Sequence, residues 1–159
     1  MYSEGSAGTG AIGVISDTHG MLRPEVSRIF EGVDMIVHAG DIGSADILKS
    51  LEAIAPVTAV SGNVDGTVIS AFLNDSETFE YKGFKFHLLH DLSRLTIDPK
   101  SMGIDMVISG HTHLPEIRSD NGVMFLNPGS AGPKRFEKPI SIAKVTARDQ
   151  RLWVRHFNL

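Results

Sequence analysis

Short apolar runs recur along the chain, and each is followed by a polar or glycine-containing segment. The runs have the length and composition of buried strands: 11–16, 34–38, 57–60, 84–89 and 105–109. Helices are predicted between the first three runs, near 24–31, where Pro24 suits a first turn, and near 44–53, where Ser44 is a plausible N-cap. Strands that alternate with helices indicate βαβ units and a parallel sheet.

The pattern changes to paired strands in the second half of the chain. Thr78–Tyr81 and the run at 84–89 flank Lys82-Gly83, a hairpin turn signal. A short helix is predicted near 99–102. Two further hairpins are predicted from 114–118 with 123–126 and from 140–146 with 152–157. We therefore expect an α/β fold in which two mixed sheets lie face to face with helices outside.

Length and composition point to one domain. At 159 residues the chain is long enough to bury a core. Residues 1–10 are rich in Gly and Ser and are expected to form a flexible leader, so the single domain would span 11–159. No apolar run has the length of a membrane span or the pattern of a signal peptide.

Charge and cysteine content exclude some classes of protein and of metal site. The net charge of −4 argues against a general nucleic-acid binder, and no stable nucleic-acid or membrane binding is expected. The charge is uneven, because the part from Glu116 onward carries 8 Lys/Arg against 4 Asp/Glu. The chain has no cysteine, which removes disulfides and thiolate metal sites and is compatible with a cytoplasmic protein.

Metal-capable side chains follow five of the predicted strands. In a chain that leaves a strand, residues i and i+2 point the same way, so Asp17 with His19 and His111 with His113 are each expected to converge. Sites in α/β sheets collect beyond the carboxyl ends of strands. The full set of candidates is Asp17, His19, Asp41, Asn63, His90, His111 and His113.

These candidates favour a metal centre with two ions. Oxygen and nitrogen ligands without sulfur suit Mn, Fe, Ni or Zn. Seven ligands are too many for one tetrahedral ion and fit two metals about 3.5–4 Å apart with a shared carboxylate. Each motif alone is weak, since Gly-Asp and Gly-Asn often form simple turns, but their ordered recurrence at successive strand ends is not expected of an ordinary core.

The order Asp-x-His, Gly-Asp, Gly-Asn, His and Gly-His-x-His resembles the calcineurin-like metallophosphoesterases, in particular their small prokaryotic phosphodiesterase subgroup. The resemblance extends from about residue 11 to the C-terminus. It implies a four-layer αββα sandwich with a dinuclear site. By the same resemblance Asp17, His19 and His113 would hold one metal, Asn63, His90 and His111 would hold the other, and Asp41 would bridge them.

The function implied is hydrolysis of small phosphodiesters by a hydroxide that two divalent metals supply, with Mn as the first candidate and Ni, Fe, Zn and Co as the others. Asp41, Asn63 and His111 would act in catalysis as well as in metal binding. Two alternatives stay open: a phosphomonoesterase or nucleotide hydrolase on the same site, and a non-catalytic interaction module like the retromer subunit that shares this fold. A homo-oligomer is expected from the small members of the family.

Several positions depart from the family pattern or have two interpretations. The family commonly has His after Gly-Asn, and Val64 stands there, which leaves the general acid unidentified. Asp65 is a candidate for that role or a turn cap. Asp91 stands where a Gly commonly follows the fourth-motif His. The turn that starts at Asn127 could present backbone N–H groups to a phosphate or be structural, and His38 could orient a ligand.

Overall fold

The computed structural model describes residues 10–159, so the leader predicted for residues 1–10 lies, apart from Gly10, outside the described residues. The strands are β1 (Ala11–Ile15), β2 (Met35–His38), β3 (Val57–Ala59), β4 (Ser76–Tyr81), β5 (Phe84–Leu89), β6 (Met106–Ile108), β7 (Pro115–Asp120), β8 (Val123–Pro128), β9 (Ser141–Arg148) and β10 (Arg151–Asn158). The helices are α1 (Pro24–Ile29), α2 (Ala45–Glu52) and α3 (Thr67–Ser70), with a 3₁₀ turn at Leu92–Arg94.

The strands form two mixed sheets of five strands each, which confirms the predicted fold class. The first sheet has the order β10-β9-β1-β2-β3, and the second has the order β4-β5-β6-β8-β7. Strands β1, β2 and β3 run parallel, as do β5, β6 and β8, and each of the remaining strands pairs antiparallel with its neighbours. The carboxyl ends of the parallel strands therefore carry the loops that hold the candidate ligands.

Within the described residues, three apolar clusters stabilise this arrangement. The cluster between the sheets joins Ile12, Val14 and Val37 of the first sheet to Phe86 and other residues of the second. A second cluster packs the helices on the outside of the first sheet. Successive side chains of a strand point to opposite faces of its sheet, and the central strands pack against an apolar cluster on each face. Consecutive residues are therefore apolar, which explains the continuous apolar runs in the sequence.

The outer face of the second sheet is covered differently from the prediction. The helix predicted near 99–102 is wrong, because the chain there forms successive hydrogen-bonded turns, including Gly103 N to Lys100 O at 3.1 Å. These turns and the 3₁₀ turn cover a small apolar cluster that contains Leu89 and Ile104. The short helix α3 was not predicted, since its β-branched sequence buries only Ile69.

Helix α2 shows the predicted cap, with the Ser44 hydroxyl accepting from Asp46 N at 3.2 Å. Among residues 10–159 no helix has both the length and the apolar character needed to cross a membrane. Strand β10 is an edge strand of the first sheet. The expected homo-oligomer stays a prediction.

Candidate metal centre

The structure brings all seven candidate ligands to one side of the sandwich, in loops that follow five parallel strands. Asp17 and His19 follow β1, Asp41 follows β2 and Asn63 follows β3. From the second sheet, His90 follows β5, and His111 and His113 follow β6. Two groups of three meet closely enough to hold an ion each: Asp17, His19 and His113 in the first group, and Asp41, His90 and His111 in the second.

Asp17 and His19 meet in one group through a left-handed backbone and not through strand alternation, whereas His111 and His113 belong to different groups, so the predicted convergence of the second pair is wrong. Asp17 and His19 lie beyond the end of β1 with φ of 55° and 46°, and His111 and His113 lie beyond β6 with φ of 71° and 63°. Asp41 has φ of 54°. Left-handed conformations at residues other than glycine are strained and concentrate at functional sites, where the surrounding structure holds them.

In the first group, Asp17 faces two histidines. His113 Nε2 lies 3.2 Å and His19 Nε2 lies 3.8 Å from Asp17 Oδ1. Within residues 10–159, Asp17 Oδ1 and His19 Nε2 are buried without a hydrogen-bond partner. A buried polar atom without a partner is costly unless an ion or water completes its coordination. The two atoms without partners are therefore placed to coordinate a divalent cation.

In the second group, Asn63 joins the three titratable residues. Asn63 Oδ1 lies 2.9 Å from His90 Nε2 and 3.2 Å from His111 Nδ1. His90 Nδ1 donates to Ala39 O at 2.7 Å, which leaves its Nε2 with a free lone pair. The family resemblance implied Asn63 in this group, and the structure puts its amide oxygen beside both ring nitrogens.

Asp41 connects the two groups through one oxygen. Its Oδ2 lies 3.2 Å from His90 Nε2 and 3.8 Å from His19 Nε2, so it faces a ligand of each group. Its Oδ1 accepts from Val64 N at 3.0 Å, which fixes the carboxylate plane. The geometry is that of a carboxylate able to bridge two ions.

The local electrostatics keep the carboxylates charged. Burial would raise the pKa of Asp17 and of Asp41, but the neighbouring His113 and His90 rings, together with the hydrogen bonds from Ser16 to Asp17 and from Val64 N to Asp41, hold both pKa values below the ordinary range. Burial lowers the pKa of His19. Burial opposes protonation of His90 as well, yet Asp41 and Asp17 raise its pKa. Anionic oxygens beside imidazoles are the donors that a divalent cation requires.

His38 ties together the loops that carry the first ligands. It is fully buried, and its Nδ1 accepts from Gly40 N at 3.1 Å. Its Nε2 therefore carries the proton and donates to Thr18 Oγ1 at 2.9 Å, and the Thr18 hydroxyl donates to Ile42 O at 2.9 Å. Burial lowers the pKa of His38 to about 3. The neutral ring thus positions the loop at Asp17 and the loop at Asp41 relative to each other.

A pH-dependent stability follows from His38. Below its ordinary pKa of 6.5 the unfolded chain takes up a proton that the folded protein resists down to about pH 3. His38 therefore contributes stability above pH 6.5 that is lost as the pH falls, by up to about 1.4 kcal/mol per pH unit. The test measures the free energy of unfolding by urea denaturation at pH 7 and pH 5, with a chelator present. The decrease between the two pH values is expected to be roughly 1–2 kcal/mol smaller in His38→Gln than in the wild type. An equal drop in both proteins would contradict this role.

Several supporting residues were not recognised in the sequence. Ser16 Oγ donates to Asp17 Oδ2 at 2.6 Å, and His111 N donates to the same oxygen at 3.1 Å. Ser130 Oγ donates to Asp17 O at 3.1 Å. These contacts hold the strained backbone of the Asp17 loop. Only the position of Ser16 next to Asp17 could have signalled such a role, because Ser130 is 113 residues away.

The turn that starts at Asn127 is structural. Asn127 Nδ2 donates to Gly110 O at 2.9 Å and to Thr112 Oγ1 at 3.1 Å, so it holds the loop between the two histidines. Asn127 Oδ1 accepts from Gly129 N at 2.9 Å, and Ala131 N donates to Ser16 O at 3.0 Å. These N–H groups are engaged within the protein, which favours the structural alternative over phosphate binding.

The geometry at Asp65 favours the capping alternative. Its Oδ1 accepts from Ile42 N at 2.8 Å and from Gly43 N at 3.0 Å, and its Oδ2 accepts from Gly62 N at 2.8 Å. Asp65 thus joins the loop after β2 to the loop after β3. A carboxylate that accepts three backbone hydrogen bonds has a structural role. To act as a proton donor, Asp65 would have to break some of these hydrogen bonds.

Close packing of Gly62 against Asp41 gives a testable prediction. A Cβ at Gly62 would overlap the carboxylate and the backbone nitrogen of Asp41, whereas a Cβ at Gly66 would meet open space. Gly62→Ala is expected to lower kcat/KM and metal affinity by about 10–100-fold, the range found when residues that orient metal ligands are changed. Gly66→Ala is the matched control and should leave both quantities near their original values. Equal effects of the two substitutions would contradict the assignment.

Fold and site together define a metal-dependent phosphoesterase class, and comparison with known proteins agrees. The calcineurin-like phosphoesterase superfamily domain matches residues 11–150. The chain belongs to this family. The sequence prediction of the family is therefore confirmed.

Individual relatives show how far the similarity extends. A probable metallophosphoesterase of Methanothermobacter thermautotrophicus is 41% identical over 140 residues, which cover 80% of this chain and 81% of that protein. The solved structure of an archaeal phosphodiesterase is 28% identical, with a TM-score of 0.80 over 94% of this chain and 99% of that one. The vacuolar protein sorting 29 structure from Cryptosporidium parvum, at 19% identity and a TM-score of 0.76 over 96% and 98%, shares the fold.

Proposed function

We propose that this protein is a phosphodiesterase that uses two divalent metal ions. The observation that carries the proposal is the pair of neighbouring ligand groups that meet at Asp41 Oδ2. Asp17, His19 and His113 would hold one ion, Asn63, His90 and His111 the other, and Asp41 both. The likeness to an archaeal phosphodiesterase supports diesters over monoesters.

When bound, two divalent cations polarise the phosphoryl oxygens of a substrate and supply hydroxide near neutral pH. The chain's own residues set the conditions for this chemistry. Asp17 and Asp41 bring two negative charges to the site, so that a pair of divalent cations keeps a positive excess that suits a phosphodiester monoanion. The hydrogen bond to Ala39 O fixes the tautomer of His90, and the Asn127 side chain fixes the loop between His111 and His113.

A panel of substrates and metals tests the proposal. The protein is stripped with a chelator, shown to be metal-free, and reloaded separately with Mn, Ni, Fe, Zn or Co. We expect no hydrolysis without metal, recovery with Mn or Ni, and faster turnover of bis(p-nitrophenyl) phosphate than of p-nitrophenyl phosphate. Full activity of the metal-free protein would contradict the proposal.

Two other results would favour the alternatives. Preference for the monoester would indicate a phosphomonoesterase or nucleotide hydrolase on the same site. Stoichiometric metal without turnover of any ester would indicate a metal-binding interaction module. The complete set of ligands in both groups argues for an enzyme.

A further inference from the structure

A cavity opens beside the second ligand group and is not used by the metal centre itself. It has a volume of about 300 Å³, at the lower end of the range for small-molecule sites. Asn63 and His90 form its inner wall, so a phosphoester held at the second group would have one of its ester arms next to the cavity. From there it extends along the outer face of β5 to His87 and Leu89.

His87 offers a polar group inside this cavity. It is 7% exposed, and its Nδ1 lies 2.8 Å from Thr78 Oγ1. Among the described residues no hydrogen bond reaches its Nε2. Burial lowers the pKa of His87, so the ring is neutral near pH 7. A neutral imidazole nitrogen that faces a cavity can hydrogen-bond to a hydroxyl or carbonyl group of a ligand.

The remaining lining residues indicate the charge of that ligand. Asp75 accepts from Ser61 Oγ at 2.9 Å, and Asp91 lies 4.0 Å from the exposed Arg94. Two carboxylates against one guanidinium disfavour a second phosphate and provide acceptors for hydroxyl groups. Leu89 and Leu95 add apolar surface against which the face of a ring can pack.

We infer that this cavity binds one alcohol arm of the diester, and that this arm is a neutral, hydroxyl-bearing group of about the size of a nucleoside. The inference rests on the proposed function and adds the substrate class to it. His87 Nε2 would bind a polar group where the cavity follows the outer face of β5, and the carboxylates would accept from the hydroxyls. An alkyl arm would leave these polar groups without partners, and such mismatches weaken binding strongly.

The test compares two esters that share one leaving group, thymidine 5′-(p-nitrophenyl) phosphate and methyl p-nitrophenyl phosphate. Both alcohols and p-nitrophenolate are followed by chromatography, so that cleavage of either arm is counted. With the metal-loaded protein we expect kcat/KM to be about tenfold or more higher for the thymidine ester, mostly through KM.

Variants connect that preference to the cavity. Thr96 is an exposed lining residue, and Thr96→Trp is expected to bring the ratio of the two kcat/KM values close to one. His87→Leu should lower the ratio as well. Ser119→Trp, on the exposed part of β7 outside the cavity lining, is the matched control and should keep the original ratio.

A second readout needs no turnover. Thymidine is expected to shift the ring nitrogen signals of His87 in NMR spectra of the protein, and not in those of Thr96→Trp. Equal kcat/KM for the two esters, or a preference that Thr96→Trp leaves intact, would overturn the inference and leave the proposed function standing. Turnover of neither ester with any metal would overturn both.

Discussion

Asp41→Asn is expected to lose both bound metal ions and to lower kcat/KM by about 10³-fold or more. The reason is the geometry of the carboxylate. Its Oδ1 accepts from Val64 N, and its Oδ2 faces His90 Nε2 and His19 Nε2. An asparagine that keeps the hydrogen bond to Val64 N would turn its NH₂ group toward both ligand groups. That group has no lone pair for a cation, so both sites would lose the same ligand.

Metal content per chain after gel filtration, together with kcat/KM, measures this effect. Asp17→Asn is expected to empty mainly the first group, because Asp17 Oδ1 faces His113 and His19. Asp34→Asn removes a carboxylate of the same size that accepts from Tyr81 Oη far from the ligands, and it should keep both metals. If Asp41→Asn retains two tightly bound ions and normal turnover, the bridging assignment is wrong.

The sequence predicted the arrangement of strands well because the physics involved is local. Buried parallel strands need apolar residues on both faces, and the runs at β1, β2 and β6 show this directly. The hairpin turns carry their own signal, since Lys82 and Gly83 both adopt positive φ, as Asn121 and Gly122 do. The candidate ligands follow the carboxyl ends of these strands in the sequence, and the structure brings them to one side of the sandwich.

What could not be predicted depends on contacts between distant parts of the chain. The left-handed backbone at Asp17 is held by Ser130 and by His111 N, and neither partner is near in sequence. The role of Asp65 depends on donors from the loop that contains Ile42 and Gly43. The turns after Pro99 carry no pattern that separates them from a short helix. They form there because Ile104 packs on the second sheet.

The cavity at His87 could not be predicted for a similar reason. The spacing of His87 on β5 and His90 just beyond it does predict that the two side chains point to opposite faces of the sheet. The sequence does not show that the outer face of β5 is left partly open by the 3₁₀ turn beside it. A histidine that appears to be an ordinary core residue in the sequence therefore becomes a candidate for substrate binding in the structure.

The rate of diester hydrolysis is expected to depend steeply on the acidity of the leaving alcohol. Departure of an alkoxide places charge on the leaving oxygen, and a positioned acid that offsets this charge contributes about 10²–10⁴-fold. Val64 stands where the family commonly has a histidine, and its side chain has no proton to give. The Asp65 carboxylate already accepts hydrogen bonds from three backbone N–H groups. Aryl diesters should therefore be turned over well and simple alkyl diesters poorly.

The measurement is log(kcat/KM) against leaving-group pKa for a series of diesters, in the wild type and in Val64→His. The Val64 side chain is 57% exposed beside Asn63, so an imidazole fits there without repacking the core. The substitution is expected to flatten the plot by raising alkyl rates more than aryl rates. Val64→Gln is the matched control, because it adds a polar side chain without a titratable proton. A flat plot in the wild type, with chemistry shown to be rate-limiting, would mean that another residue supplies the proton, and Asp65→Asn would then be the next variant to examine.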